Sequence, residues 1–271
     1  MSGAGGRPRH CLRPIKLLIP PPFFPAEAGV TQSRTNPMKA ALGAVTRSAR
    51  AHPWRWLAAT FALLIVFPAI DVTVSSWFFE PIHRVFIARV WGPSEWIRRS
   101  MPYYLFALAG LVALAWLAGE ALRRRFFGIG RRVALYLLLA LALGPGLVVN
   151  LILKDNWGRA RPSTIHQFGG ADCYTPPLAF SEQCDHNCSF PSGHAALAFW
   201  LVAFALLAPP RWRRVAVAAA VAFGAVVGLS RIAQGGHFLS DVVASGAITI
   251  AIILWLYRHI LGGEGRDFPQ K

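Results

Sequence analysis

A chain of 271 residues that is 55% hydrophobic and 15% charged, with a mean hydropathy of +0.43, is too apolar for an ordinary soluble domain. A formal net charge of +16 would suggest nucleic acid if the basic residues clustered on a polar domain. They sit instead in short connectors between apolar runs, which argues against a nucleic-acid partner and for a membrane protein.

Residues 1–50 contain Pro20-Pro21-Pro22, scattered Gly and Ser, and no apolar run of spanning length, so a disordered segment is expected there. Ile15 to Phe24 is too short and too Pro-broken for a signal peptide, and Met38-Lys39 is an alternative start. One domain is expected over 51–261, followed by a tail at 262–271. A bilayer core of about 30 Å needs about 20 helical residues. Six segments meet or approach that length: 55–76, 102–121, 133–153, 193–210, 214–231 and 238–257. The predicted fold is therefore all-α, a polytopic bundle of six transmembrane helices. The fifth span is rich in Ala, Val and Gly, which suits close helix packing. Between the first and second, residues 79–101 alternate apolar positions with Arg84, Arg89, Arg98 and Arg99. That pattern fits an interfacial helix on the outer leaflet or a helix packed over the mouth of the bundle.

Lys and Arg set the orientation. With the N-terminus inside, twenty of the 28 basic residues fall on the cytoplasmic side. This predicts cytoplasmic termini and functional residues facing the other side of the membrane. The outer loop, 162–190, carries Cys173, Cys184 and Cys188. An oxidising compartment favours a disulfide from Cys173 to Cys184 or to Cys188, and the spacing of these cysteines with His186 matches no standard zinc pattern, so no metal is expected.

Three stretches at the edges of apolar segments carry the chemistry: Lys154 to Pro162, Pro191-Ser192-Gly193-His194, and Ser230-Arg231 leading to His237 and Asp241. Lys154 and Arg161 lie about two helical turns apart, and Arg231 ends the fifth span on the same side. Guanidinium forks and an ammonium suit phosphate oxygens. Ser192 and the amide of Gly193 open a helix whose free N–H groups suit an anion. His237 and Asp241 are one turn apart, so a carboxylate can fix the ring while its other nitrogen attacks phosphorus. His194 is then a general acid for the leaving oxygen, although spacing alone allows the two histidines to exchange roles.

These residues resemble the type 2 phosphatidic acid phosphatase family, whose motifs run Lys-x6-Arg-Pro, Pro-Ser-Gly-His and Ser-Arg-x5-His-x3-Asp. The resemblance covers residues 54–258 and matches every defining position. It implies a six-helix membrane phosphatase that needs no metal or other cofactor and works through a phosphohistidine. In it Lys154, Arg161, Ser192, Gly193 and Arg231 hold the phosphate, His237 attacks, Asp241 supports it and His194 is the acid. Vanadium haloperoxidases share this pocket but are soluble. The substrates implied are membrane lipid phosphates: undecaprenyl pyrophosphate, phosphatidylglycerol phosphate, phosphatidic acid or a lipid A phosphate. The long outer loop favours the large lipid A head group. A phosphotransferase using the same site, and a non-catalytic lipid transporter or scaffold, are the alternatives.

Overall fold

The computed structural model describes residues 53–262, so the expectation for 1–50, and that for the tail beyond Gly262, lie outside the described residues. Helices α1 (Pro53–Val66) and α2 (Ala69–Ser76) meet at a bend of 92°. Pro68 sits in that break, and its missing N–H and fixed φ interrupt the helix there. A two-residue hairpin follows, β1 (Phe79–Glu80) antiparallel to β2 (Val85–Phe86), with Phe79 opposite Phe86. After it come the single turn α3 (Ile87–Val90) and the 31-residue α4 (Gly92–Leu122). Helix α5 (Arg131–Leu141) runs on as a π-helical stretch, Ala142–Lys154. The outer loop leads to α6 (Gly193–Phe199) and α7 (Leu201–Leu206). Then come α8 (Pro210–Ala233) and α9 (Leu239–Leu256), the latter extended by a π turn to Leu261.

Four of these helical runs are long and apolar enough to cross a membrane, and five if the bent pair α1–α2 is one span. The sixth expected segment is present as the shorter apolar run Gly193–Leu206. Its shortness is offset by buried anchors. The fully buried Trp200 donates through Nε1 to the carbonyl of Leu137 at 2.9 Å, and Tyr136 donates to the carbonyl of Ala203 at 3.3 Å. Hydrogen bonds of this kind hold helices together where lipid supplies no hydrophobic drive. The small residues of α8 serve the same end. A Cβ at Gly224 would come within 2.4 Å of the Phe199 ring, and one at Gly228 within 2.3 Å of a Val242 methyl. On the outside, Phe106, Leu111, Leu114 and Leu117 of α4 and Val215, Val226 and Leu229 of α8 are exposed, forming an apolar belt suited to acyl chains.

Two expectations need correction. Residues 79–101 do not form one interfacial helix. Phe79, Phe86 and Phe168 instead pack as three rings with centroids 5.0–5.3 Å apart, tying the hairpin to the outer loop. Residues 92–101 become the first turns of α4, which at about 1.5 Å per residue is about 46 Å long and overshoots a bilayer core of about 30 Å. A disulfide joins Cys184 to Cys188, with Cα atoms 5.6 Å apart, so neither of these two pairs with Cys173. The chain reverses between them through Asn187, which adopts φ 53°, a left-handed conformation that Asn tolerates. The Cys173 amide donates to the Gln183 side chain at 2.9 Å.

Candidate active site

All the motif residues gather at one end of the bundle. Lys154 closes the π stretch after α5, Arg161 follows in the loop, and Ser192, Gly193 and His194 open α6. Arg231 sits in the last turn of α8, His237 in the five-residue link, and Asp241 in the first turn of α9.

His237 is 1% exposed. Its Nδ1 donates to the carbonyl of Ser189 at 2.6 Å. A carbonyl only accepts, so Nδ1 carries the proton and Nε2 carries the lone pair. Burial, and then the charges of Arg231, Lys154 and Arg161, hold its pKa well below the ordinary histidine value. The ring is therefore neutral near pH 7, the state a nitrogen nucleophile requires.

Asp241 does not hold the ring directly, since its Oδ2 lies 3.9 Å from Nδ1. Its oxygens are taken elsewhere. Oδ2 accepts from Ser189 Oγ at 2.5 Å and from the Phe238 amide at 2.7 Å, the first-turn carboxylate satisfying a free helix-start donor. Oδ1 accepts from Arg159 at 2.5 Å. Asp241 therefore acts on His237 through Ser189, whose hydroxyl it binds and whose carbonyl orients the ring.

Arg159 is a residue that motif reasoning left without a role. Its side chain is fully buried and faces two carboxylates, Asp241 and, at 2.9 Å, Asp71 of α2. Its Nη1 also donates to Ser240 Oγ at 2.9 Å and its Nε to the Thr175 carbonyl at 3.0 Å. The guanidinium carbon lies 4.4 Å from the Phe238 ring centroid, a cation–π contact. Asp71 closes the network by accepting from the Ser240 amide at 2.9 Å and hydroxyl at 2.5 Å. Burial would lower the Arg159 pKa, but the fields of Asp241 and Asp71 outweigh it and push the pKa up. A signal was available in the sequence: two carboxylates at the edges of apolar spans require a cation.

Ser192 caps α6, accepting from the Ala195 amide at 3.5 Å, and its own amide donates to the Asp241 carbonyl at 3.3 Å. Gly193 is needed by a neighbour. A Cβ there would come within 2.3 Å of Asn150 Oδ1, whose amide nitrogen is turned away to the Pro145 carbonyl at 2.7 Å. Next to them, His194 donates through Nε2 to the backbone carbonyl of Arg98 at 3.1 Å. Lys154, Gly193, His194 and Asn150 form the polar end of a hollow of about 400 Å³ whose remaining walls include Pro102, Phe106, Leu138, Leu141 and Leu197.

Arg161 and Arg231 line a second hollow of about 410 Å³ together with Arg89, Arg98, Arg99, Glu95, Gln234 and Gly236. The motif set is thus shared between two hollows, one basic and one apolar, with His237 buried. Arg161 donates twice to the Asn187 carbonyl, at 3.1 and 2.5 Å, so the disulfide-closed turn positions it. Burial, then the neighbouring Arg89, lowers its pKa. Arg231 donates through Nη1 to Gln234, which in turn donates to Ser94 at 2.6 Å. Its Nε is buried without a hydrogen-bond partner among the described residues. Such a donor suits an anion's oxygen, because leaving it unmatched costs about 1–3 kcal/mol.

Comparison with known proteins places the chain in a family. A family model described as the PAP2 superfamily matches residues 133–262, which contain all three motifs. A lipid A 4'-phosphatase of Francisella tularensis subsp. novicida is 38% identical over 201 residues, covering 73% of this chain and 88% of that relative. A lipid A 4'-phosphatase of Rhizobium etli is 32% identical over 223 residues, covering 75% of this chain and 84% of that relative. A lipid A 1-phosphatase of Rhizobium johnstonii is 38% identical over 102 residues, 36% of each chain. No solved structure matches the chain. The motif residues gathered at one end of an apolar bundle, and a relative matched over most of its length, make the chain a member of the PAP2 superfamily, a multi-pass membrane phosphatase that hydrolyses phosphoric esters of lipids.

Proposed function

We propose that this phosphatase removes the 4'-phosphate of lipid A at the periplasmic face of the inner membrane, through a phosphohistidine on His237 and without a metal. The observation that carries the mechanism is the Nδ1 contact to Ser189, which leaves Nε2 with a lone pair on a neutral ring among three cations. In the first step Nε2 of His237 bonds to phosphorus while the bond to the sugar oxygen breaks, and that oxygen takes the Nδ1 proton of His194, whose ring is doubly protonated once the anionic phosphate is bound and keeps its Nε2–H on the Arg98 carbonyl. In the second, water attacks phosphorus, the N–P bond breaks, and His194 takes up the water proton. Lys154, Arg161 and Arg231 neutralise the charge on the non-bridging oxygens, with Ser192 and the Gly193 amide at the opening of α6 as further donors.

Two observations favour a lipid of this class. The apolar hollow reaches Lys154 and His194, so an acyl chain there would place its phosphate beside the motif cations. The relatives matched over 84–88% of their length are lipid A 4'-phosphatases, whereas the lipid A 1-phosphatases match over 36–38% of theirs. The two names also mean that lipid A carries phosphate at two positions. The excess of basic residues in the connectors assigned to the inside supports the periplasmic orientation.

Detergent-purified protein in EDTA, given lipid A, should release phosphate from the 4' position alone, and mass spectrometry of the product reads the position. Acid-labile phosphate retained on the wild-type protein and missing from His237→Ala would identify the intermediate. Release that requires a divalent metal, or arises at the 1 position, would overturn the corresponding part of the proposal. A C-terminal reporter active only in the periplasm would overturn the orientation.

A further inference from the structure

The basic hollow holds more charge than one phosphate can use. Five arginines and one carboxylate line it, leaving a formal excess of four positive charges, while a phosphate monoester carries about two negative ones at most. Its volume of about 410 Å³ would hold on the order of a dozen waters at roughly 30 Å³ each, more room than a single phosphate group requires. The arginines also come from different parts of the fold. Arg161 and Arg231 belong to the motifs, whereas Arg89 is in α3 and Arg98 and Arg99 are on the overshooting first turns of α4. Arg98 and Arg99 share Glu95, which Arg98 meets with two nitrogens and Arg99 at 2.6 Å. Arg89 contacts no carboxylate among the described residues and donates only to the neutral Ser163 hydroxyl at 3.0 Å.

Resting on the lipid A reading above, we propose that Arg89, with Arg98 and Arg99, forms a second anion subsite. It would hold the phosphate monoester of the same head group that is not hydrolysed. Arg161 and Arg231 face the reacting phosphate at the His237 end, and the outer arginines fix the distance and direction of the rest of the head group. Arg98 and Arg99 then exchange part of their contact with Glu95 for the substrate, so the carboxylate keeps the pair ordered before binding. Recognition of this kind contributes to specificity as well as affinity, because a lipid lacking the second phosphate leaves these cations unmatched.

The test compares kcat/KM on a bis-phosphorylated lipid A with that on the same lipid bearing only the 4'-phosphate, in mixed micelles of neutral detergent. Wild type is expected to favour the bis-phosphorylated lipid by about tenfold, chiefly through KM. Arg89→Gln and Arg99→Gln should each erase most of that preference while leaving the mono-phosphorylated lipid within about twofold, and Arg89→Lys should restore part of it. Equal losses on both lipids would overturn the subsite and mark a structural role. So would a wild type that does not distinguish the two lipids. Adding an anionic phospholipid to the micelles separates the remaining source of anions. If the variants' defect tracks the phospholipid content and not the substrate's second phosphate, the arginines bind the membrane surface and the proposal fails. Failure of the lipid A reading itself would look different, with no turnover of either lipid by wild type.

Discussion

Arg159 and the arginines of the basic hollow solve opposite problems. Arg159 is fully buried, and its charge is matched by Asp71 and Asp241 with hydroxyl and carbonyl oxygens filling the remaining directions. In the basic hollow, Arg89, Arg161 and Arg231 hydrogen-bond, among the described residues, only to neutral groups: a hydroxyl, a backbone carbonyl and an amide. A cation balanced inside the protein holds elements together, whereas one left in excess is balanced by something that arrives. The distinction separates architecture from binding site more sharply than burial does, since Arg231 is itself 6% exposed.

The contrast can be broken from either side. The largest expected effect is on the reaction: His237→Ala should lower turnover by at least about a thousandfold with thermal stability retained. Near-normal turnover would point to another nucleophile. On the architectural side, Arg159→Ala leaves two buried carboxylates unpaired and should destabilise the protein by about 3–5 kcal/mol, read as a lower unfolding temperature in detergent. Arg159→Lys should not rescue it, because one ammonium cannot replace a fork shared between two acids. Arg231→Gln should do the reverse. We expect a loss of about 1.5–3 kcal/mol in transition-state binding, read from kcat/KM, with an unfolding temperature unchanged or raised as repulsion in the hollow falls. Asp241→Asn should reduce both properties, and Ser189→Ala, which removes only the hydroxyl between Asp241 and the His237 loop, should cost about 1 kcal/mol of stability with a smaller loss of rate.

The pH dependence gives a finer test. His237 has its pKa depressed by folding, so below the unfolded value near 6.5 the unfolded chain binds a proton that the folded one refuses. Its contribution therefore lowers stability as pH falls through that value and has no effect above it. The unfolding temperature of wild type should drop between pH 7 and pH 5 more steeply than that of His237→Asn. Parallel slopes would mean that the ring is not held neutral by its surroundings.

Much of the site was legible from spacing. Lys154, Arg161, Ser192, Gly193, His194, Arg231, His237 and Asp241 do gather at one end of the bundle, because each sits where an apolar run stops and polar groups must turn the same way. What could not be read depends on contacts distant in sequence. Asp71 and Arg159 are 88 residues apart, and nothing local marks them as partners. The carbonyl that orients His237 belongs to Ser189, 48 residues earlier, while the visible pattern suggested the carboxylate one turn away. Cys184–Cys188 follows from a reversal at Asn187 that composition does not announce. The first ten residues of α4 are polar enough to look like surface in the sequence, and only the structure shows the helix continuing beyond the apolar layer.

That overhang makes α4 a single helix that borders both hollows and touches His194. Its outer turns present Arg98 and Arg99 to the basic hollow, Ser94 steadies Gln234 and so Arg231, and the carbonyl of Arg98 holds His194. One turn further in, Pro102 and Phe106 wall the apolar hollow. A small tilt or slide of this helix would therefore move the arginines of the basic hollow, the partner of His194 and a wall of the apolar hollow together. Lipid thickness or tail length, by shifting the helix, would be felt at the scissile bond without any separate relay.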